Sequence, residues 1–248
     1  MQAFSYQLIN GYPILEMDGM KVLLNTGSAE SMGVPDQITI AGKISSLKKT
    51  TLRLTPDILG KQLGTPVDVM LGADILTQFD FKLLPEKMQV VFTSGEFHPY
   101  GYCNYFELFN GVPITPVSVF NQDIRLFFVT GSRRTYLKED FLKKISPTGT
   151  ATDYYPGLGT FETPIFKVTI WVAGFDVELE VGIPPKPLLS MLDQTHSQGI
   201  LGVDVLHGFE VCLAPRRRES IWWKRGSGGG QELEGQRRDP NDVPGYYY

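Results

Sequence analysis

Two short stretches carry the residue types best placed to do chemistry in this chain, Asn25-Thr26-Gly27-Ser28 and Val129-Thr130-Gly131-Ser132. Each follows an apolar run, Leu23-Leu24 in one case and Phe127-Phe128 in the other, and so reads as a strand ending in a turn that presents hydroxyl groups. Glycine between the two hydroxyl residues permits a tight turn and a close backbone approach. Elsewhere the sequence offers less. His98, His196 and His207 are isolated, no Ser or Cys sits in a nucleophile elbow, and there is no P-loop, GxGxxG, HExxH or CxxC. Cys103 and Cys212 are too few for a disulfide framework and lack metal-ligand spacing, so each reads as a small buried apolar side chain in a reducing setting. No metal and no cofactor is expected. The carboxylates near the two stretches are Asp18, Asp68, Asp74 and Asp204. Asp18 lies in the turn-like Met17-Asp18-Gly19, and Asp74 and Asp204 read as caps of short helices.

The elements that must position these residues repeat along the chain. Ile9-Asn10-Gly11-Tyr12-Pro13-Ile14 matches Phe109-Asn110-Gly111-Val112-Pro113-Ile114, and Met70-Leu71-Gly72-Ala73-Asp74-Ile75-Leu76 matches Ile200-Leu201-Gly202-Val203-Asp204-Val205-Leu206. Phe79-Asp80-Phe81 matches Phe209-Glu210-Val211, Pro85 matches Pro215, and Val90-Val91-Phe92 matches Ile221-Trp222-Trp223. The halves therefore read as two copies of one unit, residues 1–98 and 103–225, joined by a short linker and followed by a Gly-rich, mixed-charge tail, 226–248, expected to be disordered. Most segments are short β-branched or aromatic runs bounded by Gly, Pro, Asn or Asp, which reads as antiparallel strand. Phe166–Val172 and Phe175–Val181 flank Ala173-Gly174 as a hairpin. Helices are few: one begins at Thr55-Pro56, with Thr as N-cap and Pro at the first helical position, and another is expected over Lys138–Ile145. Gly72 follows Asn25 by 47 positions while Gly202 follows Val129 by 73. The expectation is that the first half has lost a hairpin that the second keeps around Thr150–Gly182, leaving any cleft open on the first half's side.

The 248 residues are 42% hydrophobic and 20% charged, with a formal net charge of −4. That is enough apolar content for one large core or two small ones, and too little positive charge to concentrate a nucleic acid or an anionic membrane surface. No window approaches a membrane span, and the first residues lack the basic and apolar regions of a signal peptide, so a cytoplasmic location is expected.

Taken together, the two Thr-Gly-Ser strands and the two Leu-Gly-x-Asp-hydrophobic-Leu segments, in the same order twice, resemble the pepsin/retropepsin-like aspartic peptidases. The resemblance implies an all-β, bilobal fold of two retropepsin-like β-barrel units with short helices. It further implies that Thr26 and Thr130 bridge the two loops, that Ser28 and Ser132 sit beside the reacting centre, and that the segments ending at Gly72 and Gly202 cross behind the loops. In that family the residue before each Thr-Gly is an Asp, and the two carboxyls share a proton and activate a water. Here those positions hold Asn25 and Val129. An amide has no basic site for the water's proton and valine has no polar side-chain atom, so no dyad peptidase activity is expected. Losing general acid–base assistance alone costs about 10²–10⁴ in rate.

The resulting expectation is a pseudoprotease that binds a peptide or protein partner in or near the cleft, with an extended peptide added as a strand between the lobes. One alternative is an assembly module using the β platform and a tail that ends in Tyr246-Tyr247-Tyr248. Another is an endopeptidase whose Asp at position 25 has been replaced by Asn, active only on pairing with a second copy. The basic cluster Arg216-Arg217-Arg218 with Lys224 and Arg225, and the pair Arg133-Arg134, read as solvated turns or a docking patch for an acidic partner. All of these readings require Thr26 and Thr130 to be adjacent.

Overall fold

Short alternating runs closed by two-residue turns set the architecture. In the computed structural model, which describes residues 1–155 and 158–224, the first half contains β1 (Gln2–Ile9), β2 (Tyr12–Met17), β3 (Met20–Leu24), β4 (Met32–Gly33), β5 (Gln37–Ile40) and β6 (Lys43–Ser46). It continues with α1 (Pro56–Leu63), β7 (Val69–Leu71), α2 (Ala73–Leu76), β8 (Asp80–Leu84) and β9 (Gln89–Thr93). The second half contains β10 (Tyr102–Tyr105), β11 (Glu107–Phe109), β12 (Val112–Val119), β13 (Gln122–Val129) and β14 (Tyr136–Leu137). After these come β15 (Gly149–Tyr155), β16 (Gly159–Val172), β17 (Phe175–Val181), α3 (Lys186–Gln194), β18 (Gly199–Gly202), β19 (Phe209–Ala214) and β20 (Glu219–Lys224). The fold is all β, with few and short helices.

The hairpin turns Asn10-Gly11, Asp18-Gly19, Ala41-Gly42, Asn110-Gly111, Phe120-Asn121 and Ala173-Gly174 all have both residues at positive φ. That backbone matches the right-handed twist of the strands it joins, and Gly or Asn takes it at least cost. Both halves use the same parallel pairing among named strands that otherwise pair antiparallel. β3 runs parallel to β7, with Leu24 opposite Leu71, and β13 runs parallel to β18, with Val129 opposite Gly202. A ten-stranded sheet crosses between the halves in the order β10-β20-β19-β8-β9-β1-β2-β3-β7-β4, and an eight-stranded sheet is built from the second half. One apolar cluster runs through both, containing Leu24, Leu71, Phe128, Leu201 and Trp222. Smaller clusters lie under α1 in the first half and α3 in the second.

One expectation holds in part and one is corrected. The β16–β17 hairpin of the second half has no counterpart between β4 and α1, but the first half keeps a hairpin of its own: β5 and β6 pair as a separate two-stranded sheet about Ala41-Gly42, shorter than the β15–β16 pair. The segment Lys138–Ile145 is not a helix. It forms one 3-10 turn, Glu139–Phe141, because Tyr136-Leu137 is drawn into pairing with β18 and too few residues remain to propagate a helix before Pro147. The Thr55-capped helix does form, with the Thr55 hydroxyl accepting from the Ile58 amide at 3.2 Å. The tail 226–248 and Arg225 lie outside the described residues. Among the described residues, no helix is long and apolar enough to cross a membrane.

Candidate functional site

β3 and β13 end side by side, and their terminal threonines hold the two loops together. The Thr26 hydroxyl donates to the Phe128 carbonyl at 2.7 Å and accepts from the Thr130 amide at 2.9 Å. Reciprocally, the Thr130 hydroxyl donates to the Leu24 carbonyl at 2.8 Å and accepts from the Thr26 amide at 3.0 Å. Thr26 is 2% and Thr130 0% exposed, so these four bonds lie out of water, where an unmade bond would carry the full cost of desolvation.

The glycines of the turns bring positions 25 and 129 to the same junction. A Cβ on Gly27 would overlap Val129 Cγ1 and come within 2.9 Å of Cγ2, while a Cβ on Gly131 would overlap the Asn25 carboxamide, 2.8 Å from Nδ2. Each turn thus abuts the residue before the Thr-Gly of the other half. The Asn25 side chain is held: Oδ1 accepts from the Gly27 amide at 3.0 Å and Nδ2 donates to Met70 Sδ at 3.4 Å. Val129 packs against the apolar cluster that contains Phe127, Tyr136 and Ile200. Ser28 and Ser132 donate to the carbonyls of Glu30 and Arg134, both at 2.7 Å, so their hydroxyls stabilise the turns.

Behind each loop the Leu-Gly segment fits only because it lacks a side chain. A Cβ on Gly72 would lie 2.5 Å from the Glu30 carbonyl oxygen, and one on Gly202 would lie 2.5 Å from that of Arg134. Here a pair of residues not singled out from the sequence completes the arrangement. Ser31 Oγ accepts from the Gly72 amide at 2.8 Å and donates to Asp74 at 2.6 Å. Thr135 Oγ1 accepts from the Gly202 amide at 3.0 Å and donates to Asp204 at 2.7 Å. Gly72 and Gly202 hold the N-cap positions and Asp74 and Asp204 lie in the first turn; Asp74 accepts from the free Ile75 amide at 2.9 Å as expected of a capping carboxylate, whereas Asp204 accepts from the Thr135 amide at 2.9 Å instead, and each carboxylate ties the strand behind a loop to the chain leaving that loop. Burial raises the Asp204 carboxyl above its ordinary value, against the lowering effect of the two Thr135 hydrogen bonds. A repeated hydroxyl at a fixed distance after each Thr-Gly was the available signal.

The remaining candidates sit away from the loops. Asp18 occupies a hairpin turn, and Asp68 accepts from the Lys21 amide at 2.8 Å. Arg216, Arg217 and Arg218 lie in a turn with Arg216 and Arg218 exposed, and Arg216 and Arg217 also close on Asp80 of β8, which is 0% exposed, at 3.0 and 2.9 Å. Arg133, the residue after Ser132, reaches Asp153 of β15 at 2.9 Å. Cys103 and Cys212 form no disulfide, and among the described residues no His, Cys, Asp and Glu cluster could hold a metal ion.

No protein-family model matches the sequence, and no curated protein matches it. Among solved structures, the solution structure of simian foamy virus (mac) protease is similar over 38% of this chain and 90% of that chain, at 18% identity and a TM-score of 0.30.

Proposed function

We propose that this chain is a non-catalytic, aspartic-protease-like protein that binds an extended peptide or protein segment between two tandem retropepsin-like units, residues 1–98 and 103–225. The observation that carries the reading is an intact threonine grip around Asn25 and Val129, which supply no carboxylate at the loop junction. Loss of the chemistry with retention of the scaffold around it leaves the groove as the part with a use. An extended chain entering that groove would be held by main-chain hydrogen bonds, with side-chain pockets setting preference. The reading that requires a second copy is less well supported, because Thr26 already has Thr130 of the same chain as its partner.

The test is retention of peptides from a mixed library on the immobilised chain, read by mass spectrometry, followed by hydrogen exchange of the chain with a retained peptide. The expected result is uncleaved peptide with slowed exchange at 24–28 and 128–132. Slowed exchange confined to an outer sheet face would instead favour an assembly module, and no retention at all would overturn the proposal.

A further inference from the structure

The hairpin formed by β15 and β16 reaches from the second half to the first, and one carboxylate fastens it there. Asp153 is 4% exposed. It accepts from Arg133 Nε at 2.9 Å, from the Tyr154 amide at 2.8 Å, from the Tyr12 hydroxyl at 3.3 Å, and from the Tyr136 hydroxyl. Arg133 also donates to the Thr152 carbonyl, and its guanidinium stands 6.0 Å from the Tyr12 ring centroid. Three of the four donors to Asp153 belong to the second half; Tyr12, on β2, belongs to the first.

Hairpin residues Tyr155 and Phe161 join the apolar cluster that also contains Val129 and Tyr136. The Tyr136 and Phe161 rings lie 6.1 Å apart. The chain's own side chains thus occupy the second-half side of the loop junction. Beside the latch a cavity of about 250 Å³ is bordered by Asn10, Lys61, Gly64, Arg133 and Tyr154.

We propose that Asp153 is a latch that holds the β15–β16 hairpin closed on Tyr12, so that a peptide gains the groove only after the contact to Tyr12 is released. The proposal rests on the peptide-binding reading above for its consequence, but not for its mechanism. A groove closed by its own hairpin binds with an affinity reduced by the fraction of time it is open. Arg133, Tyr136 and the Tyr154 amide belong to the hairpin's own half, so the Tyr12 bond is the contact to Asp153 that fixes the hairpin against the first half, and its loss loosens the hairpin.

The deciding variant is Tyr12→Phe, which removes the one bond from the first half and keeps the ring; Asp153→Asn is the second. Hydrogen exchange at 149–155 and 159–165 measures opening without any ligand. Losing a single neutral-to-charged hydrogen bond predicts roughly 10-fold faster exchange there in Tyr12→Phe, with β1 and β8 unchanged as controls. Peptide retention is expected to strengthen by a similar factor. Unchanged exchange in both variants overturns the latch whether or not peptides bind. Faster exchange with unchanged or weaker retention of a peptide that does bind also overturns it, because access would then not be limited by the hairpin. Faster exchange with no peptide retained by any form keeps the latch and overturns the peptide-binding reading.

Discussion

Thr26 and Thr130 each use one hydroxyl twice, as donor to a carbonyl and as acceptor from an amide of the other half. A valine of nearly the same shape can do neither. Thr26→Val leaves the Phe128 carbonyl and the Thr130 amide buried without partners, and is expected to lower stability by roughly 2–5 kcal/mol. Thr130→Val should cost a similar amount through Leu24 and Thr26. Denaturant unfolding at fixed pH measures both, and a loss below about 1 kcal/mol in either would contradict the mutual grip. These threonines were legible in the sequence because Thr-Gly-Ser occurs at the end of an apolar run in both halves. Ser31 and Thr135 were not, because the residues they serve lie far along the chain: Asp74 is 43 positions from Ser31 and Asp204 is 69 from Thr135. The hydroxyl repeated at the same spacing after each Thr-Gly marks the position but not its partner. The same distance hid Asp153, whose contact with Tyr12 spans 141 positions.

Strand pairing within each half was largely legible from turn chemistry, and pairing between halves was not. Ala173-Gly174 and Ala41-Gly42 both close hairpins with positive φ at each residue, but only the first is flanked by long alternating runs. The flanking Gln37–Ile40 and Lys43–Ser46 are short and mostly polar, so their strand signal is weak. The β8–β19 pairing, Phe81 with Leu213 and Lys82 with Cys212, has no mark in either strand alone. It is secured by Asp80, which collects the Phe97 amide at 3.0 Å as well as Arg216 and Arg217. The basic run was therefore legible as a cluster but not as the other side of a buried ion pair. Removing one partner of such a pair strands the rest, so Asp80→Ala is expected to destabilise by about 3–5 kcal/mol. Thermal and denaturant unfolding check this, and a change within the range of an ordinary surface substitution would show that the β8–β19 junction does not depend on the pair.

At the scale of the whole molecule, one plan is executed twice and joined by a shared sheet. The short alternating runs were enough to give the all-β class, and the paired landmarks anticipated a parallel strand behind each loop, because such a strand needs a Gly-containing segment at a set place after it and both halves supply one. What the plan encloses is the Asn25 amide and the Val129 hydrocarbon, the latter packed in a cluster with Tyr155 and Phe161 of the β15–β16 hairpin. The most direct test of that account is hydrolysis itself. The purified chain is incubated with a mixture of denatured proteins from acid to neutral pH and from nanomolar to micromolar enzyme, and new peptide termini are counted by mass spectrometry. The account predicts none above a buffer control at any pH or concentration. New termini that disappear when Thr26 or Thr130 is replaced by valine would contradict it.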